Sequence, residues 1–584
     1  MENKYIWSVE DIFSSDSDWQ KTFEEIDKKI DFSEFKGKLG TPEGFLSCMQ
    51  KQESLARVVD KLSVYAMMKH DEDTSNSFYD GLTMKMGALY SKFGSQTAFI
   101  LPELTALEDE VILSYIKNPL LKDYDYNLKT ILKEKKHVLS ENEEKILVLS
   151  GETLSSFRDI FTKLDNVDLP ISTFIYKGKK YPLSHGTYSV YMKDKDRNLR
   201  KKAFKEYYSA YISLINTIAS TYVGNVKKDV FISKVKKYNS TLDMALMGED
   251  VSTKVYENLI NATEKGRLYL HEYIKEKKKC LGLNKMYMYD MNMPCVQDAE
   301  LNLEYDQAYN LVIEGLAPLG KEYQTLLEEA RKERWLHVYE SKGKRSGAYS
   351  VAVYDTHPYV LLNYQKTTHD VFTIAHEMGH SLHSYFSNKN QPYAKADYKI
   401  FVAEVASTVN EVLLIKHLLN KAQDKKLKKY LLSYLLEMIR TTLFRQTQFA
   451  EFEHFTHKCV EQDKPLTKDV MNQEYLRLNK KYYGKSVVSD NEIQYEWARI
   501  PHFYRAFYVY KYATGITSAL AIADRILKEG ENAVKDYLAF LSSGSKDSPV
   551  ELLKIAGVDL EKEQPFNSAM QVFASSLKEF KLLS

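Results

Sequence analysis

Two histidines four residues apart, with a glutamate beside the first, are the side chains here best suited to chemistry. They are His376, Glu377 and His380, in T-I-A-H-E-M-G-H-S-L-H-S-Y-F from Thr373 to Phe386. On a helix, positions four apart share a face, with β-carbons about 5–6 Å apart. Two imidazoles so placed can hold one tetrahedral ion from one side. Glu377 is the next residue round the helix, so its carboxylate flanks the ion instead of joining it, where a base for a metal-bound water would stand. Val371, Phe372, Ile374, Ala375, Met378, Leu382, Tyr385 and Phe386 surround the triplet, which predicts a buried helix over about 370–387. The plain alternative is a chance H-E-x-x-H on an ordinary amphipathic helix. Against it, His383 adds a third imidazole to the same apolar run, and such groups are costly to bury without a partner. Gly379 costs about 1 kcal/mol against Ala inside a helix, which predicts close approach of another backbone or of a substrate.

A catalytic ion needs a third protein ligand and one position open to water. His383 lies on nearly the same face as His376, but seven residues of helical rise put it about 10 Å further along the axis. Glu404, in F-V-A-E-V-A-S-T-V-N-E, is the favoured third ligand, with His383 kept as second shell, core or less favoured ligand. Asn388 to Pro392 should end the first helix, so that a second can run back beside it with Glu404 one or two turns in. Glu411 is seven residues further on the same face. It can accept the other ring N–H of a ligating histidine, or simply be a surface or cap carboxylate.

The elements that must position these residues are mostly helical. The 584 residues include only 13 Pro and 23 Gly, among long Lys/Glu/Leu-rich stretches. The reading is a mainly α, multi-lobed chain: 1–110 an N-terminal helical lobe, 111–200 a helical lobe with a short hairpin around Gly178, and 201–584 the domain with the metal helix. Residues 333–366 differ, being β-rich, with Gly343 and Gly347 marking turns or close backbone approach. A small sheet there either pairs its open edge with an extended peptide or only braces the metal helix. Gly347, Ala348 and Tyr349 are its candidate substrate contacts. The Met- and Tyr-rich stretch around 284–300 reads most simply as core packing or an irregular connection.

Net charge is +1, from 81 basic and 80 acidic side chains, so nothing in the whole molecule draws it to nucleic acid or membrane. Tyr207 to Val226 is long enough to span a bilayer, yet its many Ser, Thr, Tyr and Asn residues predict a buried soluble helix. The N-terminus lacks the apolar core of a secretory signal. Cys48, Cys280, Cys295 and Cys459 are scattered, as free thiols in a reducing compartment would be. A cytoplasmic protein is expected.

H-E-M-G-H-S-L-H, then Q-P-Y, then F-V-A-E-V-A-S-T-V-N-E resembles the thimet oligopeptidase superfamily of zinc metallopeptidases, most closely oligoendopeptidase F. R-S-G-A-Y-S, Y-D-T-H-P-Y-V-L-L-N, I-P-H-F-Y and the opening W-S-V-E-D-I-F are similar to that branch too, so the likeness spans nearly the whole chain. It implies a helical ellipsoid with a deep central channel, one Zn2+ per chain at its floor, and cleavage of internal bonds in short peptides. By position, His376, His380 and Glu404 match the family's zinc ligands and Glu377 its general base. The late stretch Pro501 to Gly515 matches the family's His and Tyr over the metal. His502, Tyr508 and Tyr512 are the best fits, and Tyr504, Tyr508 and Tyr512 are expected to share one helical face. The competing reading is a helical peptide-binding protein whose metal is structural and closed by a fourth protein ligand.

Overall fold

The structure is a computed structural model that describes residues 2–297 and 299–583. Helices dominate, joined by one two-stranded antiparallel hairpin, one two-stranded parallel pair and one three-stranded sheet. The hairpin is the one expected from sequence, pairing Phe174–Tyr176 with Lys179–Tyr181, with Gly178 at φ 76° in its turn. Contacts group the chain into two units. The first comprises Met1–Val138, Leu301–Leu418 and Ile522–Val558; the second comprises Leu139–Glu300, Leu419–Ala521 and Asp559–Ser584.

In the first unit the long helix α1, Pro42–Glu72, begins as its sequence dictates: Thr41 caps it by accepting from the Gly44 N–H at 3.2 Å, and Pro42 occupies its first turn. Its buried face, with Phe45 and Leu62, joins Trp7 and Trp19 in a core that also includes Tyr359 and Leu361 of the sheet. That sheet has β1, Leu336–His337, parallel to β3, Tyr359–Leu361, and β2, Tyr349–Val351, antiparallel to β3 on its other side. The order β1-β3-β2 leaves β2 as an edge strand. The loop entering β2 is tied down by polar contacts. The half-buried Lys344 ammonium donates to the carbonyls of His337, Tyr339 and Leu362 at 3.2, 2.7 and 2.5 Å. The Asn363 amide donates to those of Arg345 and Gly347.

The metal-site helix α2 runs from Thr368 to Asn390. Thr367 and Asp370 form a reciprocal cap at its start, the Asp370 carboxylate accepting from the Thr367 N–H at 2.9 Å. It stops just before Pro392, and helix α3, Ile400–Lys421, follows after a short turn of helix at Tyr393–Ala396. Glu404 thus lies about one turn into α3.

The second unit is a helical array with a tyrosine-rich core, including the fully buried Tyr207, Tyr208, Tyr222 and Tyr273. The Met-rich stretch is core here: Met286, Met288, Met291 and Met293 are buried. Among the described residues, no helix is long and apolar enough to cross a membrane.

Candidate metal centre

Helices α2 and α3 meet at Gly379. A β-carbon at that position would stand 2.5 Å from the Ser407 Cα and 2.8 Å from the Ala406 carbonyl oxygen, so only glycine permits the approach. The Asn410 amide, bonded to the Ala375 carbonyl at 2.9 Å and accepting from the Tyr323 hydroxyl at 3.0 Å, ties the same two helices together. This clamp brings Glu404 to the two histidines.

The Nε2 atoms of His376 and His380 are 3.2 Å apart. A Glu404 carboxylate oxygen stands 3.6 Å from the first and 3.9 Å from the second. The Nδ1 of His376 is bonded to the Glu411 carboxylate, and the His380 ring is bonded to the Ala403 carbonyl. When each ring donates a single N–H outward, its Nε2 is left with a lone pair for an ion. Two ring nitrogens and a carboxylate oxygen thus converge, and, against the effect of burial, the charges of Glu411, Glu377 and Glu404 raise His376 to about 9, a field that suits a cation. Zinc bonds of about 2.0–2.1 Å in a tetrahedron give donor–donor edges of about 3.3–3.4 Å, close to this triangle. The donor set therefore fits a divalent ion. Among the described residues no fourth His, Cys, Asp or Glu joins the group.

Glu377 is buried beside this triangle. Burial foremost, then the charges of Glu404 and Glu411, push its carboxyl up to about 7 against the pull of His376, while it accepts from the backbone N–H of Ser350 on β2. His383 is elsewhere. Its ring is buried, stacked on Tyr398 at 3.7 Å and outside the donor group. Burial drives its pKa down to about 3, so it is a neutral packing residue in this structure. Gly347 and Ala348 are exposed just before the edge strand, with Gly347 at φ 87°. The Tyr349 hydroxyl is spent on Asp71 at 2.8 Å, and its main chain is paired with Leu361 of β3.

The late-chain residues belong to the second unit, where they form a group of their own. The Tyr512 hydroxyl is 3.4 Å from His502 Nε2, and the His502, Tyr508 and Tyr512 rings lie within 5.5–5.9 Å of one another. The expected common helical face is not there. Pro501–Tyr504 is a short 3-10 turn and the helix begins only at Tyr510, so Tyr504 points away into the core, stacked on Phe161 at 4.4 Å. The cause is Phe507, at φ 51°, whose N–H is held at 2.8 Å by the fully buried Glu453 carboxylate. Sequence reading also missed Ser350, Asn410 and Tyr398. Ser350 and Asn410 lie within the quoted motifs, but their partners are more than 25 residues away.

Residues 190–572 match the model of Peptidase family M3, and residues 103–170 match that of Oligopeptidase F. The chain belongs to peptidase family M3. Oligopeptidase PepF of Bacillus subtilis is 42% identical over 581 residues, covering 99% of this chain and 87% of that protein. Group B oligopeptidase PepB of Streptococcus agalactiae is 38% identical across 100% of this chain and 98% of its own. Among solved structures, oligoendopeptidase-F from Enterococcus faecium superposes with a TM-score of 0.75 at 33% identity, covering 97% of this chain and 99% of that one. As a member of family M3 the protein is a metallopeptidase, and its helical architecture is that of the oligoendopeptidase F structures.

Proposed function

We propose that this M3 peptidase is a zinc-dependent, cytoplasmic endopeptidase acting on internal bonds of short peptides, with His376, His380 and Glu404 as metal ligands. The observation that carries the reading is the convergence of two Nε2 atoms and one carboxylate oxygen within 3.9 Å, beside a buried acid. An ion bound there supplies Lewis acidity, polarising the scissile carbonyl and acidifying a water. Glu377 takes the proton of the attacking water and returns it to the leaving amine, a role its burial and raised pKa suit. Glu411 holds the His376 ring in the tautomer that offers Nε2. The edge of β2, with Gly347, Ala348 and Tyr349 at its start, orients an extended peptide by main-chain pairing. His502, Tyr508 and Tyr512 supply donors to the developing oxyanion, a term worth about 2.7–4 kcal/mol per donor in other enzymes. We assign the chemistry to residues 201–584, which the 190–572 family match largely covers, and give 1–110 and 111–200 a walling role.

Two measurements test this. Chelation should abolish cleavage of a mixed peptide library, as read by product sequencing, while far-UV circular dichroism stays unchanged; loss of helicity would instead mark a structural metal. Glu377→Gln should keep its metal content yet lose about 10²–10⁴ in kcat. Near wild-type turnover in that variant would remove Glu377 as the base.

A further inference from the structure

Beyond the metal triangle the first unit contains a cavity of about 800 Å3. Its walls include Ser384 on α2, Ala403 beside Glu404, Ser350 and Val351 of the edge strand, and Ala352 just after it. Ser384 is one helical turn past His380, about 5–6 Å along the axis. That distance equals about two residues of extended peptide, so a substrate lying along β2 would set a side chain into it.

The chemistry of the walls is one-sided. Three carboxylates line the cavity, Glu53 and Asp60 from α1 and Asp397 before α3, and among the described residues no Lys, Arg or His side chain does. Of the cations near the walls, Lys395 is paired with Asp125 at 2.6 Å, and Arg57 is paired with Asp355 at 3.1 Å while lying over the Tyr354 ring at 5.0 Å. Two acceptor atoms of these lining residues, Gln52 Oε1 and Glu53 Oε1, are buried without a hydrogen-bond partner in the protein, which adds to the wall's surplus of acceptors. Burial raises the carboxyls of Glu53 and Asp60, outweighing the hydroxyls of Tyr124 and Tyr393 that donate to them and the charge of Arg57 near Glu53. Four tyrosines also line it, with Tyr354 and Tyr393 edge to face at 5.4 Å, together with Tyr90 and Tyr398. Aromatic faces beside carboxylates suit a guanidinium or ammonium group.

We propose that this cavity is a specificity subsite for a cationic Arg or Lys side chain of the peptide, close to the cleaved bond. The inference rests on the peptidase reading above. Its test uses N-acetylated peptides of one sequence, identical except for Arg, Gln or Glu at a single position that is moved along the peptide. Binding is measured by calorimetry to the metal-loaded Glu377→Gln variant, and turnover with wild type. At one position Arg should be favoured over Gln by about tenfold or more, as for a hydrogen bond to a charged group, and Glu should rank last. Glu53→Gln combined with Asp60→Asn should bring the Arg/Gln ratio to within about twofold of unity. Asp397→Asn, at an exposed site with little bearing on folding, should lower the ratio partway. Equal binding of Arg and Gln peptides at every position would overturn the assignment, as would an Arg preference untouched by all three substitutions. A Gln peptide with a free amino terminus that matches the acetylated Arg peptide would shift the cation to the α-amine and overturn the side-chain assignment. Arg-selective binding without wild-type turnover would refute the peptidase reading and leave the subsite standing. Turnover of all peptides without selectivity would do the reverse.

Discussion

Replacing Gly379 by Ala tests whether the contact between α2 and α3 sets the metal triangle. The new β-carbon would meet the Ser407 Cα at 2.5 Å and the Ser407 nitrogen at 2.9 Å, both backbone atoms of α3 that no rotamer change can move aside. Ordinary carbon contacts lie at about 3.5–4.0 Å, so α3 must retreat by about 1 Å. Overpacking of this kind costs about 1–3 kcal/mol, and the better helix propensity of Ala returns about 1 kcal/mol. Net stability should therefore fall by no more than about 2 kcal/mol. Metal affinity should suffer more. Ser407 is one turn past Glu404, so the same retreat stretches the 3.6 and 3.9 Å separations from the histidines well beyond the edge of a zinc tetrahedron, which is about 3.3–3.4 Å. At least a tenfold loss in affinity is expected, read by competition with a chromogenic chelator, with thermal unfolding of the metal-free protein run in parallel. Gly87→Ala is the control. That glycine lies exposed in the helix Ser77–Thr97 with nothing within 4 Å of the added carbon, and the change should leave metal binding untouched. A Gly379→Ala protein that binds metal within twofold of wild type would refute the argument that backbone contact positions Glu404.

Glu404→Ala should release metal far more readily than His383→Ala, because His383 is stacked on Tyr398 and outside the donor group; the opposite ranking in metal analysis after dialysis would transfer the third position to His383. Tyr508→Phe and Tyr512→Phe should lower kcat while leaving KM nearly unchanged, and unaltered kcat in both would remove them from the chemistry. In the second unit, burial opposes ionisation of Glu437, but Arg440 and Lys277, donating at 2.7 and 2.8 Å, hold its carboxyl down at about 2. A depressed carboxylate stabilises the fold above its unfolded pKa of about 4.3 and loses that effect as pH falls through the folded value. Glu437→Gln should therefore cost about 3 kcal/mol at pH 7, since it leaves buried cations unpaired, with the gap closing between about pH 4 and 2. A difference in denaturant stability that stays constant across that range would point to packing instead of charge.

The metal helix was legible because its signal is local: apolar residues at helical spacing around H-E-x-x-H, ended by Pro392. Glu404 was legible for the same reason, since one helix break and one return bring it back, and Gly379 announced a close neighbour without naming it. The neighbour itself, Ser407, and the Asn410 tie depend on tertiary packing. The tyrosine face failed because nothing near Phe507 marks a left-handed residue; a carboxylate 54 residues earlier in the chain holds it there. The grouping into two units was likewise hidden, since Gly and Pro punctuate chain turns, whereas a unit is defined by which distant segments pack together.

That grouping bears on how the protein is made. The backbone passes from one unit to the other five times, at residues 138, 300, 418, 521 and 558. A ribosome releasing this polypeptide from its amino end cannot complete the half that contains His376, His380 and Glu404 until residue 558 has emerged, and no single cut in the gene yields either half intact. Newly made protein must keep its early helices waiting for partners encoded hundreds of codons downstream, a period in which their exposed apolar faces invite aggregation or chaperone capture.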